Sequence, residues 1–273
     1  MGRNINTINF FSVVIMKKIL IFLPLTIMVC ACTDWKVGSG NEQMELSWGK
    51  ASMCIENPIA PGEDLCYQIK FELDTLAGED ELAKQFAAVI RDSVLCTPGY
   101  ATIQETMAAH ADSIKTEWEA ELAERYEFDS DWKETFQYYY TVNGYPLEES
   151  QEGILSYQTN TDCYLGGAHG SYVVNYYNFD KKSGNLLNIE DIIPAEKEKL
   201  VLKAMEEQLC DDWDAKDLAE LQENTGITML GDLYLTNNFL LKNDSIEFLF
   251  NQYEIAPYAA GLISVTIPLP TSR

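Results

Sequence analysis

Strand-like runs in this chain come in consecutive groups instead of alternating singly with helices, and that grouping limits the fold more than any other feature. "MELSWGKASMCIE" and "EDLCYQIKFEL" are rich in β-branched and aromatic residues, with Asn57-Pro58 and Pro61-Gly62 forcing a turn between them. A leading hairpin is therefore expected. From Glu79 the apolar spacing changes to three and four residues, through Leu82, Phe86, Val89, Ile90 and Val94, and stops at Thr97-Pro98-Gly99. A longer helix is predicted from about Thr102 to Tyr126, with Ile103, Met107, Ile114, Trp118 and Leu122 on one stripe and His110 beside it. "ETFQYYYTVNGY" returns to alternation, with Phe136, Tyr138 and Tyr140 on one face.

"GILSYQTNT" and "SYVVNYYNFD" read as two further strands, and "DKKSGNLLN" as a tight turn in which Gly184 supplies a positive φ. Asp191 to Pro194 opens a helical stretch carrying Leu200, Leu202, Met205 and Leu209, and a shorter helix spans about Ala215 to Glu223. Phe239 and Leu241 then face Ile246, Phe248 and Phe250 across Asn243-Asp244, and "GLISVTIPL" is the last strand. The order β-β-α-α-β-β-β followed by α-α-β-β-β predicts an α+β fold with mainly antiparallel sheets. Two subdomains, each with a helix pair, are expected over 42–160 and 161–273, meeting near a glycine-rich segment, Gly166-Gly167-Ala168-His169-Gly170.

The N-terminal region has a different character. A basic pair, Lys17-Lys18, after Met16 is followed by an apolar run from Ile19 to Val29, which is the layout of a secretory signal and too short for a membrane span. Val29-Cys30-Ala31-Cys32 has the form of a lipobox and resembles the bacterial lipoprotein signal, so residues 1–31 are expected to be removed and Cys32 lipidated. Residues 32–41 read as a polar tether. The expected location is the cell envelope, with the globular part extracytoplasmic and held to a membrane only through the lipid on Cys32.

Forty-three acidic against 19 basic residues give a formal charge of −24, and the leader carries three of the bases and none of the acids. Such a surface argues against nucleic acid and anionic lipid as direct partners; it keeps a secreted protein soluble, and the sharper alternative is that it steers a cationic partner. Beyond the leader and Cys32 lie Cys54, Cys66, Cys96, Cys163 and Cys210, an odd number that cannot all pair within the chain. Cys54 and Cys66 flank the first turn, where spacing alone leaves a cross-strand bridge open.

Two histidines without H-E-x-x-H or CxxC spacing predict no metal site, and no phosphate-binding loop predicts a nucleotide, so no cofactor is expected. In "DDWDAKDLAELQE", Asp212, Asp214 and Glu223 fall at EF-hand-like offsets, but Asp217 stands where that loop needs glycine, so an acidic first helical turn is the better reading.

Two segments remain as candidate sites. His169 in its glycine setting would serve a hydrolase as acid or base, with Cys163 or Ser171 as nucleophile, yet no G-x-S-x-G elbow and no orienting acid accompany it. The simpler alternative is a tight bend at Gly166, Gly167 and Gly170, with His169 capping a backbone carbonyl or packing on Tyr164 and Tyr172. "FNQYEIAPYAAG" supplies Tyr253, Glu254, Pro257 and Tyr258 as an aromatic, acidic loop suited to a sugar or peptide.

Together, "YLGGAHGSYVVNYYNFDKKSGNLLNIEDII" and "FLFNQYEIAPYAAGLISVTIPL" resemble the RsiV/PdaC-like family of bacterial extracytoplasmic domains, over most of residues 42–270. The resemblance implies a first α+β domain followed by one likened to a subdomain of the Hsp70 ATPase, without its nucleotide chemistry. Within that family one member is an anti-sigma factor whose outer domain binds lysozyme, and another carries the domain beside a peptidoglycan deacetylase. The deacetylase motifs TFDDG and H-x-x-x-H are not found in this sequence, nor is a sigma-binding segment. The expectation is thus the shared module alone, a non-catalytic binder of cell-wall glycan or of a cationic protein such as lysozyme. Its expected ligand-contacting residues are Gly166, Gly167, His169, Gly170, Tyr253, Glu254 and Tyr258. A hydrolase or deacetylase using His169 is the alternative.

Overall fold

The computed structural model describes residues 46–58, 66–128, 138–164, 168–225 and 233–269. The leader, Cys32 and the tether, together with Phe136, Gly166 and Gly167, lie outside the described residues. Residues Trp48–Arg273 form one compact unit. Among the described residues no helix is long and apolar enough to cross a membrane.

A six-stranded sheet runs β1 (Trp48–Pro58), β2 (Cys66–Leu76), β3 (Tyr138–Leu147), β4 (Ile154–Tyr164), β5 (Ser171–Asp180) and β6 (Leu186–Leu187), in that spatial order. All neighbours are antiparallel except β2 and β3, which are parallel because the chain crosses between them through two helices. These are α1 (Glu81–Val89) and α2 (Ile103–Phe128). Asp80 caps α1 by accepting from the Ala83 N–H at 2.8 Å, and a π-helical turn over Ile90–Val94 ends it.

Alternation in β2 buries Tyr67, Ile69, Phe71 and Leu73 under these helices. The α2 stripe supplies Met107 and Trp118, both fully buried, with the Trp118 ring edge-on to Tyr67 at 5.7 Å. Leu122 belongs to a stretch of α2 whose side chains lie outside the described residues. His110 sits at the core edge, packed on Phe71 and Tyr140 with Thr97 against its Nδ1 at 3.1 Å.

The second sheet is a meander of β7 (Phe239–Leu241), β8 (Ser245–Phe250) and β9 (Ile263–Pro268). Its buried face, Phe239, Leu241, Ile246, Phe248, Phe250, Val265 and Ile267, packs with Val201, Met205 and Leu209 of α4 (Glu198–Asp212) in one core. The short α3 (Ile189–Ile192) and α5 (Leu218–Thr225) flank it. Asp217 accepts from the Glu220 N–H at 2.9 Å, so this acid caps α5. Among the described residues no group of histidine, cysteine or acidic side chains is placed to hold a metal ion.

The boundary expected between residues 160 and 161 lies inside β4, a strand hydrogen-bonded on both sides. The two sheets instead join at the outer edge of β5, through carboxamide side chains. Asn238 accepts from Tyr176 N–H at 2.9 Å and donates to the Val174 carbonyl at 2.8 Å, while Asn178 donates to the Phe239 carbonyl at 2.6 Å. Gln252 accepts from Tyr172 N–H at 3.3 Å. Asparagine thus does here what a neighbouring strand's backbone would do. The bridge left open between Cys54 and Cys66 does not form: Cys54 pairs with Lys70 and Cys66 with Pro58, four residues along each strand, about 13 Å apart.

Candidate functional site

The hairpin of β4 and β5 carries His169 at its tip, and the loop after β8 carries Tyr253 and Tyr258. The tertiary structure brings these three rings together. His169 lies face to face with Tyr258, centroids 3.7 Å apart and planes within 18°. Tyr253 approaches from the side, its hydroxyl 3.4 Å from His169 Nε2 and its ring 5.8 Å from that of Tyr258. The other histidine nitrogen, Nδ1, sits 2.9 Å from the Gly170 carbonyl. A carbonyl can only accept, so Nδ1 carries the hydrogen and donates to it.

Each ring is held by local chain geometry. A Cβ at Gly170 would come within 2.9 Å of the Cys163 carbonyl, so only glycine lets the hairpin close at this point. Tyr253 adopts φ +69 inside a turn in which its N–H donates to the Ala256 carbonyl at 3.1 Å. Tyr258 starts a single 3₁₀ turn opened by Pro257 and closed by Gly261 at φ +71. The histidine does cap a backbone carbonyl, as one sequence reading has it. Its ring partner, however, is Tyr258 and not Tyr164 or Tyr172, because the loop after β8 folds over the hairpin tip.

Glu254 is near but separate. Its carboxylate accepts from Asn251 N–H at 3.0 Å and borders a depression of about 250 Å³ shared with Asn175, Asn188 and Asn237. Burial raises its pKa, and the hydrogen bonds from Asn251 act against that rise. Gly166 and Gly167 lie outside the described residues.

The surroundings bear on catalysis. Cys163 is opposite Ser171 in the hairpin register and buried. Burial first, then the Asp162 carboxylate, pushes its thiol up to about 11, so the sulfur is neither exposed nor ionised at neutral pH. The histidine's Nδ1 partner is a carbonyl and not the carboxylate that would hold it for proton transfer. Tyr253 is 46% exposed and His169 is also at the surface, so the stacked rings present a face to solvent. An aromatic surface of this kind binds through ring faces and polar tips.

Residues 62–172 match the family model described as deacetylase PdaC, and residues 189–269 match that of a protein family of unknown function, DUF3298. His169 falls in the first match and Tyr253 and Tyr258 in the second, so the ring cluster is built from both. No curated protein matches the chain. Among solved structures, a DUF3298 family member from Bacteroides fragilis superposes with a TM-score of 0.69 at 22% identity, over 82% of this chain and 90% of its own. A DUF3298 family protein from Pseudomonas aeruginosa gives 0.56 at 16% identity, over 82% and 91%. At these identities the likeness shows a shared fold.

Proposed function

Since the chain carries a PdaC/DUF3298-like extracytoplasmic domain, we propose that it is a lipid-anchored, non-catalytic binding module of the cell envelope, held at a membrane through Cys32 and recognising cell-wall glycan. The observation that carries this reading is the exposed stack of His169 on Tyr258 with Tyr253 beside it, an aromatic surface next to which the Cys163 thiol is buried and protonated. A triad-type hydrolase using His169 would need a carboxylate on Nδ1 and an exposed nucleophile at Nε2. Here those positions hold the Gly170 carbonyl and the Tyr253 phenol. The net charge of −24 favours a second ligand, a cationic protein such as lysozyme, by long-range attraction.

Co-sedimentation of the purified mature protein with peptidoglycan sacculi, beside capture on immobilised lysozyme across a salt series, tests the ligand. Retention on either supports a binding module. Retention on neither, or turnover of peptidoglycan fragments that disappears in His169→Ala, overturns it. Acyl labelling that is unchanged in Cys32→Ala would remove the anchor from the proposal.

A further inference from the structure

The six-stranded sheet packs α1 and α2 on one face; on the other face Ile154, Ser156, Val174 and Asn178 are buried toward the second sheet, and an open stretch remains around Tyr145, Gln158, Asn160 and Tyr172. Strand alternation and register set Tyr145 beside Gln158 and Tyr176 on this face, and Thr141 beside Asp162 and Tyr172. Five tyrosines point this way, and none of the three strands carries a basic residue. Open faces of antiparallel sheets are usually solvated by mixed charges, so a face of phenols and carboxamides needs another explanation.

Its polar groups are already ordered. Gln158 Nε2 donates to the Tyr145 hydroxyl at 2.9 Å and to Asn160 Oδ1 at 2.7 Å, and Asn160 Nδ2 reaches the same phenol at 3.3 Å. Two amide donors on the Tyr145 oxygen leave its own O–H to serve as a donor. Tyr145 and Tyr172 are each 37% exposed, which offers ring surface as well as hydroxyls. Burial first, then the Tyr145 hydroxyl and the Asp162 carboxylate, raise the Tyr172 pKa, so these groups share one neighbourhood. Beyond Tyr176 the surface dips into a depression of about 340 Å³ bordered by Leu147, Gln158, Leu240 and Glu247.

Charge decides the class of ligand. Asp162 is engaged by the Tyr139 O–H at 3.2 Å, and Glu247 by the Tyr176 O–H at 3.3 Å and by Lys242 at 2.9 Å. A cationic protein would find these carboxylates occupied, and a polyanion would meet carboxylates without the basic residues it needs. An uncharged, polyhydroxylated ligand with apolar ring faces suits what remains, since C–H faces stack on phenols while hydroxyls bond to carboxamides.

We infer that the open stretch on β3, β4 and β5 is a platform for an uncharged oligosaccharide, with Tyr145 and Tyr172 as stacking surfaces and Gln158 and Asn160 as hydrogen-bonding groups. This rests on the glycan reading above and adds to the rings around His169 a second contact surface on the sheet face.

The test titrates the mature protein with chitotetraose by calorimetry and repeats the sacculus co-sedimentation with Tyr145→Ala, Tyr172→Ala and, as a control, Lys203→Ala, each checked for an unchanged melting temperature. The expected result is roughly tenfold weaker binding for each tyrosine variant, about 1.4 kcal/mol, with Lys203→Ala, on the exposed surface of α4, within about twofold of wild type. If either tyrosine variant fails to fold, Asn160→Ala and chemical-shift mapping of the wild type replace it. Wild-type binding that survives both tyrosine substitutions, or that falls equally in Lys203→Ala, overturns the platform and leaves a binding module standing. Capture of lysozyme without any retention of chitotetraose or sacculi overturns the sugar class, and binding to none of the three overturns both proposals.

Discussion

Asn251 holds Val174 by both of its main-chain polar atoms: the side-chain oxygen accepts from Val174 N–H at 2.8 Å and the side-chain nitrogen donates to the Val174 carbonyl at 3.0 Å. The residues are 77 apart, and one lies on the outer edge of β5 while the other follows β8. Beside Asn238, Asn178 and Gln252, this carboxamide therefore helps fix the second sheet to the first. Asn251 also sets the start of the turn that displays Tyr253, since its main-chain carbonyl accepts from Glu254 N–H at 3.1 Å.

Asn251→Ala should accordingly be costly. The Val174 carbonyl keeps its bond from Asn238, but the Val174 N–H is left buried without an acceptor, a loss of about 2–3 kcal/mol. Urea unfolding followed by circular dichroism would read this as a lower midpoint at unchanged slope. A midpoint within error of wild type would mean that the junction does not depend on this residue.

Gly144 is fixed by space. A Cβ there would overlap the Tyr157 hydroxyl and crowd Leu73, and that hydroxyl donates to the Asp74 carbonyl at 2.7 Å. Gly144→Ala is expected to destabilise by about 1–3 kcal/mol. Combining it with Tyr157→Phe, which removes the clashing oxygen, should cost less than the two single changes added together. Simple additivity in thermal unfolding would contradict the overlap.

Glu254 predicts a pH dependence. Burial raises its folded pKa above the ordinary value of 4.5, so the folded state holds the proton more tightly than the unfolded chain. The associated stability is fully present below the ordinary value and is lost as pH rises through the folded value. Glu254→Gln keeps an oxygen acceptor for Asn251 N–H without the charge. It should be at least as stable as wild type at pH 7, with its advantage shrinking as pH falls toward 4.5. A stability difference that stays constant over that range would remove burial as the cause.

Thiol accessibility separates the cysteines. Cys54 is exposed on β1, whereas Cys163 is buried with its thiol pushed up to about 11. Peptide mapping after a short iodoacetamide pulse at neutral pH should find Cys54 modified and Cys163 protected until denaturant is added. Equal modification of the two in the native protein would place Cys163 at the surface.

The elements themselves follow from local pattern. The alternation of Tyr67, Ile69, Phe71 and Leu73, and the three- and four-residue spacing of Leu82, Phe86 and Val89, give β2 and α1 because side-chain direction in a strand or helix is set by the nearest few residues. The turn at Gly184, φ +80, follows in the same way from one residue's backbone freedom. The α+β class and the predominance of antiparallel pairing come from the order of those elements.

Three features were decided only in the folded chain. The parallel pairing of β2 with β3 depends on how two intervening helices dock on the sheet, which no window of sequence encodes. The stack of His169 on Tyr258 joins two segments that each read as unusual, yet neither names its partner, because ring contacts leave no periodic trace. The asparagine junction at β5 was silent for a further reason: Asn238 and Asn251 look like ordinary turn residues, and a carboxamide becomes a structural bond only when tertiary packing buries it against an unpaired strand edge. Sequence determined the pieces through near-neighbour sterics and burial, and the tertiary structure alone decided which polar groups and rings would meet.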